Sequence, residues 1–331
     1  MADPTNRVLI LIVAFGIEAM LAYPALLFRA IGHPVSWIGA LIGALDTALN
    51  RPDYSDTMRR IAGVVTVLLL LGISLGAGLS LQMVARIVPS LGFALAVVVV
   101  ATLIAGGNLD QHVRAVASAL RAEGLAGGRK SVANIVGRDP EALDEAAICR
   151  AAIESLAENA SDGVTAPALW YLIGELPGMI AYKAINTADS MIGHLSERHR
   201  AFGWAAARLD DLVNLPASRL TGLMFIAAAA VVPGASAVSA WRAFWRDARL
   251  HRSPNAGWPE AAMAGALGLR LAGPRAYHGV VVDDHWMGDG RAEATAADID
   301  RALVIYRVAF AGALLVVAAS AALIALISAR G

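Results

Sequence analysis

The sequence predicts an all-α, polytopic integral membrane protein with about five transmembrane helices, one re-entrant candidate and helical polar loops. Three observations carry that expectation. Hydrophobic residues make up 57% and charged residues 16% of the 331 positions, against roughly 25% charged in soluble domains. Four uncharged stretches approach the ~20 residues that cross a hydrocarbon core: Ile61–Leu81, Ile87–Gly106, Leu220–Ala240 and Val308–Ser328. No segment shows the period-two alternation of a half-buried strand. The chain reads as a single domain over 1–331.

Taken in order, Val8–Phe28 is a fifth span, apolar except for Glu18. A carboxylate there must face protein or a water-filled cavity and have a partner. The run is too long and lacks the cleavage pattern of a signal peptide. A turn at Gly32–Gly39 then leads into an amphipathic segment carrying Asp46 and Asn50. Between the second and third spans and the chain's middle lies a polar block, Gly107–Asp162. It reads as a helix from Asp110 to Glu123, a glycine-rich turn at Gly124–Gly128, and a helix from the Asp139-Pro140 pair to about Asn159, because an Asp cap before Pro is a start signal. Val164–Ala181 is a weaker span, broken by Pro167, Glu175 and Pro177.

Basic residues gather on the cytoplasmic side of a membrane. Arg29–Arg60 holds four, Gly107–Asp162 six and Trp241–Arg307 nine. The expectation that reconciles these numbers puts every polar block on one cytoplasmic face of the inner membrane, with neither Val164–Ala181 nor Leu220–Ala240 crossing fully. Zero formal charge argues against nucleic-acid binding. Cys149 is the sole cysteine, which excludes an internal disulfide and a multi-cysteine metal site.

Four polar runs carry candidate chemistry. Glu154, Glu158 and Asp162 are spaced four apart, which stacks three carboxylates on one helical face. Such a face suits Mg²⁺, or is a solvated surface answered by Arg138 and Arg150. Tyr182 to His194 offers Lys183, Asn186, Asp189 and His194 within one turn-rich stretch; the alternative is a polar network satisfying helix ends. Arg208, Asp210, Asp211, Asn214 and Arg219 resemble an acidic cluster that holds Mg²⁺ against phosphates, or a salt-bridge cluster. Ser253 and Asn255 lie in a turn before Pro259-Glu260, placed to cap a helix or to bind an anion at its N-terminus. Gly127-Gly128-Arg129-Lys130-Ser131 is no phosphate-binding P-loop, because Arg stands where Gly must precede Lys.

Seven ordered runs together resemble the cobalamin-biosynthesis family called CobD or CbiB. They are His33–Val35 with Trp37–Gly39, Val136–Asp139, and Glu154–Asn159 with Ser161–Gly163. Lys183, Asn186-Thr187 and Asp189–His194 come next, then Arg208–Asp211 with Asn214, Ser253–Gly257, and Ala261–Gly268. One departure is Ala217-Ser218-Arg219, where the family commonly has Pro-Ala-Arg. The resemblance implies a membrane ligase using ATP to join adenosylcobyric acid to (R)-1-amino-2-propanol or its O-phosphate. Other membrane enzymes of the corrinoid pathway would be its neighbours. On that footing Glu154, Glu158, Asp189, Asp210 and Asp211 form the expected Mg²⁺ pool. His194, Asp189 and Lys183 are the expected catalytic groups. Arg208, Arg219, Asn186, Asn159, Ser253 and Asn255 are expected to bind substrate or ATP. Two rival readings are a Mg²⁺-dependent membrane prenyltransferase, which would need a second Asp-rich motif, and a transporter or structural subunit, which Glu18 and the interrupted span would suit.

Overall fold

A computed structural model describes residues 4–20, 32–136, 140–277, 280–282 and 284–328. The described residues form eleven α-helices and four strands of two or three residues, so the all-α class holds. Four stretches are long and apolar enough to cross a membrane: Asp56–Ile87, Ser90–Val132, Trp204–Ala229 and Ala296–Ile327. The chain is a multi-pass membrane protein. It divides into two compact units, one of residues 1–105, 166–214 and 325–331, the other of 106–165 and 215–324.

The first unit holds α1 (Pro4–Met20), α2 (Pro34–Leu49), α3 (Asp56–Ile87), α4 (Pro89–Leu103), α7 (Ala166–Ile192) and the start of α8 (Trp204–Ala229). Each helix begins where local chemistry allows. Pro34 opens α2, where its missing N–H costs nothing, and His33 Nδ1 accepts the Val35 N–H at 3.2 Å. Ser55 caps α3 by accepting the Met58 N–H at 3.3 Å. The expected span Ile61–Leu81 lies inside α3, and α4 covers most of Ile87–Gly106. For Val8–Phe28, α1 ends at Met20 and residues 21–28 lie outside the described residues. Glu18 is half-buried and has a partner. Ile42, Val67, Leu70, Ala184, Ala188, Ile192, Phe202 and Ala206 close the core.

Helix α7 contains the interruption expected within Val164–Ala181. Glu175 adopts φ 53°, ψ −148°, and Pro177 follows. A break inside a buried helix leaves backbone groups that must find partners elsewhere. Two side chains fill the gap: Arg7 donates to Leu172 O at 3.1 Å, and Gln82 Oε1 accepts the Leu176 N–H at 3.4 Å. The Glu175 carboxylate is ion-paired with Arg7 and, at 3.4 Å, with Arg86. Gly78 of α3 meets this point, where a Cβ would lie 2.5 Å from Pro177 Cα.

The second unit holds α5 (Gly106–Val132), α6 (Glu145–Asn159), the rest of α8, α9 (Ala237–Asp247), α10 (Gly257–Leu267) and most of α11 (Ala296–Ser328). Between α10 and α11 run two ribbons: β1 (Leu271–Ala272) pairs antiparallel with β4 (Trp286–Met287), and β2 (Arg275–Tyr277) with β3 (Val280–Val282). Helix α10 is buried along its whole length. Its approach to α9 is set by Gly265, where a Cβ would meet Ser239 O at 2.4 Å.

Four expectations are corrected. The helix expected from Asp139-Pro140 begins instead at Glu145, because Asp144 is the residue whose Oδ1 accepts the Ala147 N–H, at 2.7 Å. Pro140–Ala142 form a separate 3₁₀ turn, and Arg138 and Asp139 lie outside the described residues. The glycine-rich turn at Gly124–Gly128 shrinks to one non-helical residue, Gly124. Gly128 is there for closeness, since a Cβ would lie 2.3 Å from Leu120 Cδ2. Leu220–Ala240 is not one continuous span: α8 stops at Ala229, and Gly234, at φ 76° after Pro233, turns the chain into α9. Finally, Glu154, Glu158 and Asp162 do not share one continuous α-helical face. Ala160–Thr165 is a π-turn, whose extra residue per turn rotates Asp162 out of register.

Candidate functional site

In the first unit the second half of α7 faces the start of α8. Tyr182 and Asn186 recur at helical spacing on α7, as do Asp210 and Asn214 on α8, so each pair lies on one side of its helix. Tyr182 Oη donates to Asn214 Oδ1 at 2.9 Å, and Asn186 Nδ2 donates to Asp210 Oδ1 at 3.3 Å. Asn214 Nδ2 reaches Asp210 O at 3.2 Å. Asp210 is 7% exposed and Asn214 fully buried, whereas Leu212 is 61% exposed. The polar stretch from Lys183 therefore ends inside a helix long enough to span, with Asp210 and Asn214 turned inward, where such groups are tolerated.

Asp189, one turn below Asn186, is half-buried; that burial raises its carboxyl above the usual carboxylate range, the neighbouring Asp211 raises it further, and His194 opposes the shift. Gly193 is required beside it, because a Cβ there would collide with the Asp189 carboxylate. Arg208 Nη1 lies 3.5 Å from Asp211 Oδ2. His33, at the start of α2, is pushed below its usual pKa by burial and then by the Lys183 ammonium. So the first unit brings together Lys183, Asn186, Asp189, His194, Arg208, Asp210 and Asp211 of the expected site, and adds His33, Tyr182 and Asn214.

In the second unit Glu154 is buried and its Oε1 accepts the Ala272 N–H at 2.9 Å, while Glu158 is exposed. Asn159 Nδ2 donates to Ser155 O at 2.9 Å. Arg219 stacks over Trp258 at 4.5 Å and donates to Asn255 Oδ1 at 3.0 Å and Ser218 Oγ at 2.9 Å. Ser253 Oγ accepts the N–H groups of Asn255 and Ala256, both at 3.2 Å, which is the turn-capping role weighed for it. Sequence reasoning missed Glu260, buried on α10 with His251 Nε2 at 3.8 Å. An isolated Glu in an apolar run, as at Glu18, was the only signal.

Among the described residues no group of three or more His, Cys, Asp or Glu side chains is disposed to hold a metal ion by itself. The α7–α8 donors nonetheless suit Mg²⁺ in its usual setting, one or two carboxylates completed by phosphate oxygens and water. The Asp211 charge that raises the Asp189 carboxyl is one that a cation would offset.

These features define a class: a polytopic helical membrane protein with clustered carboxylates, amides and cations on inward helix faces. A model of the family described as CobD/Cbib protein matches residues 11–306. The chain belongs to that family. It is 54% identical over 300 residues to a cobalamin biosynthesis protein CobD from Sinorhizobium sp, covering 90% of this chain and 93% of the relative. The CobD of Rhizobium meliloti (strain 1021) is 51% identical, covering 90% and 92%. That of Rhodobacter capsulatus is 46% identical over 314 residues, covering 94% and 96%. No solved structure matches the chain.

Proposed function

We propose that the chain is an ATP-dependent ligase of cobalamin biosynthesis, joining adenosylcobyric acid to (R)-1-amino-2-propanol or its O-phosphate. The product is adenosylcobinamide or its phosphate. The observation that carries this reading is the α7–α8 cluster, in which the Asp211 charge adds to burial in raising the Asp189 carboxyl, in a chain whose relatives are named for cobalamin biosynthesis.

A carboxylate resists amine attack because oxide is a poor leaving group. Mg²⁺-bound ATP would supply the phosphoryl group that makes that oxygen leave. The protein's work is then positioning and charge compensation. Asp189, Asp210 and Asp211, all of the first unit, would hold Mg²⁺. Lys183, Arg208 and Arg219 neutralise phosphate oxygens. Asn186, Asn159, Ser253 and Asn255 orient the substrates by hydrogen bonds. His194, exposed beside Asp189, accepts the proton from the attacking ammonium. The site faces the cytoplasm of the inner membrane, beside other corrinoid-pathway enzymes.

The test is incubation of the purified protein with adenosylcobyric acid, Mg-ATP and each form of the amine, with the corrinoid read by mass. A corrinoid heavier by the condensed amine, formed only with ATP, is the expected result. ATP consumption independent of the corrinoid, or no mass change, overturns the reading.

A further inference from the structure

Next to the β1–β4 ribbon of the second unit, two arginines converge on one indole. The guanidinium carbon of Arg270 lies 5.3 Å from the Trp286 ring centroid and that of Arg150 lies 5.7 Å from it. Both are within cation–π range, a contact that leaves both charges in place. Neither arginine has a carboxylate partner among the described residues, whereas Arg291, in the same unit, pairs with Asp298 at 2.6 Å. Arg150 spends one N–H on Ala292 O. Arg270 Nε is buried with no hydrogen-bond partner. A buried donor left unmade is destabilising, and two like charges on one ring add repulsion. An arrangement with both penalties needs an anion to explain it.

The backbone around the pair is built to hold this geometry. Ala272 adopts φ 58°, a left-handed conformation that strains a residue with a Cβ, and Gly273 follows at φ 76°. The Ala272 N–H is held by the buried Glu154 carboxylate. The Trp286 ring lies flat on Gly273, where any Cβ would sit 2.6 Å from it. Glu154 and Arg150 are one turn apart on α6, so one helix places both the backbone anchor and one of the two cations.

We infer that Arg150, Arg270 and Trp286 form an oxyanion site for a phosphate-bearing ligand, with Arg270 supplying the principal guanidinium. Arginine's planar fork matches phosphate oxygens, and the indole is the common surface on which both guanidinium groups rest. A nucleotide and a phosphorylated amine carry the same chemistry. Binding rather than turnover decides the matter, so the inference does not rest on the ligase reading.

The experiment titrates detergent-purified full-length protein in EDTA, without corrinoid, using pyrophosphate, ATP and ethanolamine phosphate in separate arms. Calorimetry reads affinity and tryptophan emission reads the site. At least one arm is expected to bind, with a change in emission that is lost in Trp286→Phe. Arg270→Gln and Arg150→Gln should each weaken that arm at least tenfold, with Arg270→Lys recovering part of the loss. Tightest binding by ATP assigns the site to the nucleotide, and tightest binding by ethanolamine phosphate assigns it to the amine. Unchanged elution and circular dichroism show that the variants are folded. Wild-type affinity in folded Arg270→Gln, or no binding in any arm, overturns the site.

Discussion

Asp189 illustrates at the level of one side chain how function and stability oppose each other. Its carboxyl is raised by burial and then by Asp211, so the folded state favours the protonated form. The stability linked to that shift is present below the ordinary carboxylate pKa and is lost as pH rises through the raised value. At neutral pH the ionised group is therefore a liability unless a cation is bound. Asp189→Asn should raise the melting temperature of the metal-free protein at pH 7, and the gain should vanish in acid. The same variant should lower product formation at least a hundredfold and abolish the stabilisation by Mg²⁺. Near-normal turnover in Asp189→Asn would remove it from the site. His33 has the opposite sign. Its pKa is lowered by burial and Lys183, and its Nδ1 must stay unprotonated to accept the Val35 N–H. Stability should be full above about pH 6.5, the ordinary histidine value, and fall as pH drops toward the lowered one. His33→Asn, another capping residue, should flatten that dependence, while His33→Ala costs about 1 kcal/mol at pH 8; thermal melts between pH 5 and 8 measure both.

At the scale of elements, the broken helix α7 is the clearest case of sequence pattern and tertiary partner acting together. Pro177 and Glu175 were legible as interruptions of an apolar run. Which groups repair the break was not, because Arg7 and Gln82 lie 165 and 94 residues away in the chain. Arg7→Met should destabilise the protein by about 3 kcal/mol, because it leaves the buried Glu175 carboxylate to the more exposed Arg86 at 3.4 Å. Adding Glu175→Gln should recover most of that loss, and urea unfolding of the two variants in detergent checks the coupling. Independent, additive losses would show that the pair does not stabilise the break. Helix ends were legible where a capping residue acts locally, as His33-Pro34 does. They were misplaced where two candidate caps compete, as Asp139 and Asp144 do, since only packing chooses between them.

At the scale of the whole molecule, the first unit ties two polar loops to one end. Arg198 donates to Asp46 at 2.7 Å, and Arg200 reaches Asp56 at 3.2 Å. The loops at 50–55 and 193–203 therefore lie on the same side of the membrane, and their arginines favour the cytoplasm. Cys149 is the one native thiol and is buried, which makes a cysteine-free background simple to build. In Cys149→Ser, single cysteines at Asp53 and Glu197 should both resist an impermeant maleimide in intact cells and react in inverted vesicles. Labelling of the two from opposite sides would contradict the ion pairs.

By itself the sequence determined the class, the spans inside α3, α4 and α11, and most members of the α7–α8 cluster, because hydropathy and helical spacing are local properties that survive without neighbours. Residues such as Asn186 and Asp210 were legible as polar groups too expensive to leave near lipid without purpose. Only the tertiary structure decided that Asp210 turns inward on a long helix and that Glu154 anchors Ala272. The pairing of Arg219 with Asn255, and the meeting of Arg150 and Arg270 at Trp286, were likewise settled there. Each of those depends on which distant segment fills a side chain's surroundings, and burial converts the same charge from solvated surface into a group that must find a partner.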